Sequence, residues 1–321
     1  MLLPTLRQIE QAASEVYKVL QATPQITWPL LNERCGCDVW VKHENHNPTG
    51  SFKVRGGLIY IGNLSKQQPE VQGICAATRG NHGQSIAFAA RRFGLNAVIV
   101  VPEGNSPDKN AAMRALGAEL IVAGNDFDEA VENAQSIAAD RGLHLLPSFH
   151  IDLVKGVATY ALELFRHVPD LDKVYVPIGL GSGIAGMIST RNAMDLDTQI
   201  IGVVSENANG YHLSLNAGRC IGTNSANTIA DGLAIRNPNR EALDVMMGEV
   251  DHIVEVSDDE VLGAIAAYFT DTHNVVEGAG AAGLAALLKE KERSEDLKTG
   301  IICSGGNITK ELFRHALDYP G

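Results

Sequence analysis

Four short segments carry residue types whose chemistry goes beyond packing. The first is Asn47-Pro-Thr-Gly-Ser-Phe-Lys53-Val-Arg-Gly-Gly57. Pro48 and Gly50 break the chain, and Ser51 is placed to cap a helix that starts near Phe52. Lys53 then falls in the first helical turn, where the macrodipole disfavours an ammonium. A lysine so placed has a lowered pKa and suits an amine that must attack a carbonyl. Read alone, it is equally a solvated surface charge. The second segment, Thr78-Arg79-Gly80-Asn81-His82-Gly83-Gln84, follows a strand and opens a helix. Free N–H groups at a helix start form an anion site, here suited to a carboxylate. Asn81 adds an amide able to bond a phenolic oxygen, while His82 reads as a structural residue.

The third segment runs from Pro177 to Gly186 and holds Gly179, Leu180, Gly181, Ser182 and Gly183. Glycines let backbone amides wrap a phosphate. The same stretch contains a literal G-x-G-x-x-G at Gly181, Gly183 and Gly186, with Glu206 twenty residues after the last glycine. That is the dinucleotide fingerprint with its ribose-binding acid. On this turn alone, a nicotinamide-dependent oxidoreductase is a serious alternative. The fourth segment is Cys303-Ser304-Gly305-Gly306-Asn307. Ser304 there offers one hydroxyl at a strand end, or simply belongs to a short polar loop.

Alternating strands and helices must position these segments. Near-continuous apolar runs, rich in β-branched residues, predict strands at Asp38–Lys42, Gly73–Ala77, Ala97–Val101, Glu119–Val122, Lys173–Pro177, Gln199–Ser205, His252–Val256 and Gly300–Cys303. Helical stretches fall between them at Gly83–Phe93, Ser106–Leu116, Asp126–Asp140, Gly156–His167 and Asp258–Thr270. The start, Met1 to Tyr17, reads as an amphipathic helix and not as a signal peptide. Strands buried on both faces and followed by helices are parallel, so the class is α/β, doubly wound. Ligands of such sheets lie beyond the carboxyl ends of the strands, where all four segments fall.

Composition narrows the function. The 321 residues are 45% hydrophobic and 20% charged, enough for a large core without staples. A net charge of −12 repels phosphate backbones and argues against nucleic acid. No apolar run reaches membrane-spanning length. Five cysteines, an odd and sparse set, fit a reducing cytoplasm. Cys35-Gly-Cys37 near His43 and His46 is one residue short of a zinc knuckle and reads as a turn and strand edge.

Taken together, S-F-K-x-R-G-G, G-N-H-G-Q, the Gly-rich turn and S-G-G-N resemble, in order and spacing, the fold-type-II pyridoxal-phosphate (PLP) family. That family holds serine/threonine dehydratases and serine racemase. Ala230-Asp231-Gly232-Leu233-Ala234 and Glu277-Gly278-Ala279-Gly280-Ala281 also look like family segments. The joint match covers nearly the whole chain and displaces the dinucleotide reading.

The resemblance implies two doubly wound lobes with mostly parallel sheets. Residues 1–71 and 148–321 would form a large PLP-binding domain, and 72–147 a small mobile one. Lys53 would be the Schiff-base lysine, with Phe52 against the cofactor ring. Asn81 would bond the 3′-oxygen, Gly179, Leu180, Gly181, Ser182 and Gly183 the phosphate, and Ser304 would face the pyridine nitrogen. Thr78, Arg79, Gly80 and His82 would meet the substrate. The expected reaction is dehydration and deamination of a 3-hydroxy amino acid such as threonine or serine, by a cytoplasmic homodimer.

Three departures from the family pattern carry expectations. Leu180 and Ser182 break the glycine run, so both side chains must point away from the phosphate. Arg79 stands where racemase-like members carry a serine acid/base; an arginine cannot give up its proton, so racemisation should be poor. Arg79 could instead pair with a second carboxylate, as in 3-hydroxyaspartate, or point away and brace a neighbouring helix or acid. Where some relatives bind a metal, this chain has Ser205 and Tyr211, with Glu206 out of register, and no metal is expected. The chain ends soon after Ser304, so no C-terminal regulatory module is expected.

Overall fold

The computed structural model describes residues 2–319. Among these residues ten strands make two sheets. They are β1 (Gln25–Thr27), β2 (Asp38–His43), β3 (Gly73–Ala77), β4 (Asn96–Val101), β5 (Glu119–Val122), β6 (His144–Leu145), β7 (Lys173–Pro177), β8 (Gln199–Ser205), β9 (His252–Val256) and β10 (Lys298–Cys303). The larger sheet has the order β1-β2-β10-β7-β8-β9, and the smaller β5-β4-β3-β6. Every pairing is parallel except β1 with β2. The smaller sheet lies wholly between Gly73 and Leu145.

The expected strands form because their residues are buried on both faces. All five residues of β3 and of β7 are buried, and helices cover the sheets on each side. β1 and β6 escape sequence reading, since three and two residues are too few to show a period. Helix starts follow their caps. Thr5 and Gln8 form a capping box on Leu6–Val16, and Ser257 and Glu260 form another on Asp258–Thr272.

One helix starts earlier than its sequence suggests. Ile151–His167 is capped by His150, whose Nδ1 accepts the Asp152 N–H, so Gly156 lies inside the helix. A Cβ on Gly156 would stand 2.3 Å from the Arg55 carbonyl oxygen. The glycine is there to let this helix touch the helix that carries Lys53, not to begin it.

The order of the larger sheet places its switch point between β7 and β10. After β7 the chain runs outward through β8 and β9, then returns to the other side of β7. A crevice opens beyond the carboxyl ends at such a reversal.

Candidate active site

Lys53, Asn81, the turn after β7 and Ser304 converge on that crevice. It is a cleft roofed by elements of the smaller sheet. Phe52, Lys53, Thr78, Arg79, Gly80, Asn81, His82, Gly179, Leu180, Gly181, Ser182, Gly183 and Ser304 all line it. Glu206, the acid of the dinucleotide fingerprint, does not.

Lys53 is the first residue of the Lys53–Gln67 helix. Ser51 does not cap this helix, contrary to the sequence reading. The cap position is Phe52 and its side chain makes no capping bond, while the buried Ser51 hydroxyl has no partner. The main chain is held instead by the loop after β10. The Phe52 N–H donates to the Ser304 carbonyl at 3.1 Å, and Ser51 bridges Gly305. One strand end thus fixes both Lys53 and Ser304.

The Lys53 ammonium has no acceptor among the described residues and sits 4.9 Å from the centre of the Phe52 ring. Part of it faces the cleft, but protein surrounds it closely. Loss of hydration pulls its pKa down to about 8, and Glu277 opposes the shift. Burial is the cause that lowers it.

After β7, Gly181 adopts φ 101°, in the left-handed region, and opens the Ser182–Ala193 helix. A Cβ at Gly181 would lie 2.5 Å from Cβ of Ala242. Only glycine makes this turn. The N–H groups of Ser182, Gly183 and Ile184 find no acceptor among the described residues, leaving a helix N-terminus ready for an anion. Ser182 is buried, while Leu180 lines the cleft and an adjoining outer cavity. Tyr211 anchors the turn: its hydroxyl donates to the Leu180 carbonyl at 3.1 Å and accepts the Asn239 N–H at 3.0 Å. Tyr211 therefore serves the cradle. Among the described residues no three His, Cys, Asp or Glu side chains group as metal ligands.

The Thr78–His82 turn follows β3 and starts the Asn81–Phe93 helix. Thr78 Oγ1 accepts the N–H groups of Gly80 and Gly83. Asn81 is gripped on both ends. Its Nδ2 donates to Glu277 at 2.5 Å, and its Oδ1 accepts from Asn307 at 2.7 Å. Its remaining N–H is a donor for the cleft. His82 Nε2 has no partner, and burial, with Lys53 nearby, lowers its pKa to about 3, so the ring is neutral. Arg79 is exposed at the cleft mouth and forms no ion pair with any described residue, so it braces no acid.

Sequence reading gave no role to Glu277, Lys109 and Asp231, which also line the cleft. Lys109 Nζ reaches Asp231 at 2.7 Å and Glu277 at 3.7 Å. It comes from the smaller sheet's side, and both carboxylates from the larger's. Asp231 and Glu277 lie in the two segments noted only for their family look.

An anion cradle, a donor for a phenolic oxygen, a hydroxyl at Ser304 and a lightly hydrated amine together match the polar groups of one molecule, pyridoxal phosphate. The class is thus that of an α/β enzyme working through an aldehyde cofactor. Residues 16–305 match the family described as pyridoxal-phosphate dependent enzyme, and the chain belongs to that family, on its serine/threonine dehydratase side.

An L-threonine ammonia-lyase of Thermotoga maritima is 35% identical, over 96% of this chain and 77% of that protein. An L-threo-3-hydroxyaspartate ammonia-lyase of Saccharomyces cerevisiae is 31% identical, over 98% and 96%. The solved structure of a processed threonine deaminase isoform from Solanum lycopersicum superposes with a TM-score of 0.90 at 28% identity, covering 100% of this chain and 97% of that one. PLP is the cofactor of this chain.

Proposed function

We propose that the chain is an ammonia-lyase that removes water and then ammonia from a small 3-hydroxy amino acid such as threonine or serine, leaving a 2-oxo acid. The observation that carries this is the poorly hydrated, unpaired amine of Lys53 at the floor of the cleft. When bound, PLP supplies the electron sink for the pair left at Cα. The chain's own residues do the rest. N–H groups of the Gly179–Gly183 turn hold the phosphate, Asn81 donates to the phenolic oxygen, Ser304 faces the ring nitrogen, and Phe52 flanks the ring.

The Thr78–His82 turn, with its free helix-start amides, takes the substrate α-carboxylate. Lys53 Nζ moves the proton from Cα; a pKa near 8 leaves about a tenth of the amine free at pH 7. A serine at 304, lacking a full charge, does not enforce protonation of the ring nitrogen, which suits elimination. Residues 72–147 act as a smaller lobe that closes over the substrate and excludes water.

Arg79 supports a second reading of the substrate. It is a guanidinium at the cleft mouth with no ion pair among the described residues, able to pair with a second carboxylate as in 3-hydroxyaspartate. A deamination screen of threonine, serine and 3-hydroxyaspartate isomers, with Arg79→Ala alongside, separates the readings. Loss of about tenfold or more for the dicarboxylic substrate alone assigns Arg79 to it. Ammonia release from none of them, or a borohydride label mapping away from Lys53, overturns the proposed function. The setting we propose is a reducing cytoplasm and a homodimer. All five thiols are unpaired, four of them buried, and light scattering tests the assembly.

A further inference from the structure

Glu277 is the point where three elements of the cleft meet. It precedes the Gly278–Lys289 helix, is 4% exposed, and its N–H donates to the Gly305 carbonyl at 3.1 Å. Both groups that reach its carboxylate are donors: Asn81 Nδ2 at 2.5 Å and Lys109 Nζ at 3.7 Å. A carboxylate that only accepts leaves Asn81 one way to face. With Nδ2 toward Glu277 and Oδ1 toward Asn307, the amide can offer the cleft only an N–H.

The same carboxylate lines the cleft together with Lys53, and its charge favours the ammonium form of that amine. We propose that Glu277 is a positioning residue with two effects. It fixes Asn81 as a donor toward the cofactor's phenolic oxygen, and its charge sets the ionisation of Lys53.

The second effect has a defined sign. Ionisable groups facing Glu277 are Lys53 from the Lys53–Gln67 helix, Lys109 from the Pro107–Ala115 helix, Asp231 from the turn before Leu233, and Cys303 from β10, while His82 from the Asn81–Phe93 helix faces Lys53. His82 and Cys303 are held neutral by burial, at about 3 for the imidazole and well above neutral pH for the thiol. Lys109 is engaged by Asp231. Burial raises the pKa of Glu277 itself, and Lys109 and the Asn81 hydrogen bond oppose that rise. In its ionised form Glu277 is the anion that acts on Lys53, and removing its charge lets burial lower that amine further.

The proposal rests on PLP occupying this cleft, and the experiment keeps the two apart. Apoenzyme is mixed with PLP across a pH series, and the rate of capture by the free amine is followed by visible absorption. Borohydride reduction then maps the label. In the unmodified chain, capture rises with pH through about 8. In Glu277→Gln, the midpoint should fall by on the order of one pH unit. PLP retention at pH 7 should fall about tenfold, because a glutamine amide no longer dictates the face Asn81 presents.

A label at Lys53 with an unmoved midpoint overturns the role of Glu277, since a merely structural residue changes yield and not ionisation. A label elsewhere overturns PLP at Lys53 itself. Should Glu277→Gln not fold, Gly305→Ala replaces it: its new Cβ would lie 2.3 Å from Glu277 Oε1 and push the carboxylate aside. The same downward shift is then expected, and an unmoved midpoint overturns the proposal equally.

Discussion

Two clusters of buried charge lie at either end of the same short helix segment, and they are built on opposite principles. Arg55 is fully buried and spans Glu44 and Glu163 at 2.8 and 2.6 Å, with Lys42 closing the ring onto Glu163 at 2.5 Å. Tyr17, Thr23 and Asn47 donate to the remaining carboxylate positions. Two cations meet two anions, and every carboxylate oxygen has a donor. Two residues earlier, among the described residues, the Lys53 ammonium makes no hydrogen bond or ion pair and the buried His82 Nε2 has no partner. A completed network is rigid and inert, whereas a buried amine with no direct ion pair stays reactive. The first cluster clamps the Lys53 helix to the Ile151–His167 helix, so that the second can be left incomplete without collapsing.

The largest expected effect comes from breaking the reactive side. Lys53→Ala should lower ammonia release by about 10³-fold or more, read by steady-state turnover. A residual rate within tenfold of the unmodified chain would remove Lys53 from the chemistry. Breaking the inert side should cost stability instead. Arg55→Met leaves two buried carboxylates with one lysine, and should destabilise by roughly 3–5 kcal/mol in urea unfolding. A loss under ~1 kcal/mol would mean that the cluster clamps nothing.

A third change sharpens the contrast by its sign. The Lys53 pKa is about 8 in the fold against 10.5 in the open chain, so the unfolded chain binds the proton more tightly between those values. The folded apoprotein therefore carries a penalty at pH 7 that is relieved as pH rises through 8 toward 10.5. Lys53→Met should stabilise the apoprotein by about 1–3 kcal/mol at pH 7, and by nothing near pH 11. Equal melting curves at pH 7 would show that the amine is not strained.

The smallest effect belongs to a solvated bridge between the two sheets' elements. Arg236 faces Asp128 at 3.3 Å and Asp126 at 3.6 Å, with all three side chains more than 40% exposed. Arg236→Gln should change stability by less than about 1 kcal/mol. A larger loss would mean that exposure is no guide to the worth of a pair in this protein.

Much of this was legible along the chain. The eight expected strands are present with ends within two residues, because a strand buried on both faces must be written in a continuous apolar run. The predicted site residues all face one cleft, because strand-to-helix turns of a parallel sheet gather at one edge. Ser51 was misread because capping was inferred from residue type, while the true partner of that backbone is Ser304 on a distant strand. Glu277 lies 196 residues from the Asn81 it holds, and no local pattern reports such a pair.

What the sequence settled by itself is local and periodic: the longer strands, the glycine at 181 and the lysine that opens a helix. What only the folded chain decided is how charge is partnered, with Arg55 completed and Lys53 left short. Partnering depends on distances between segments far apart in the chain, and ionisation depends on the water those segments exclude. Neither quantity exists until the two sheets have closed around the cleft.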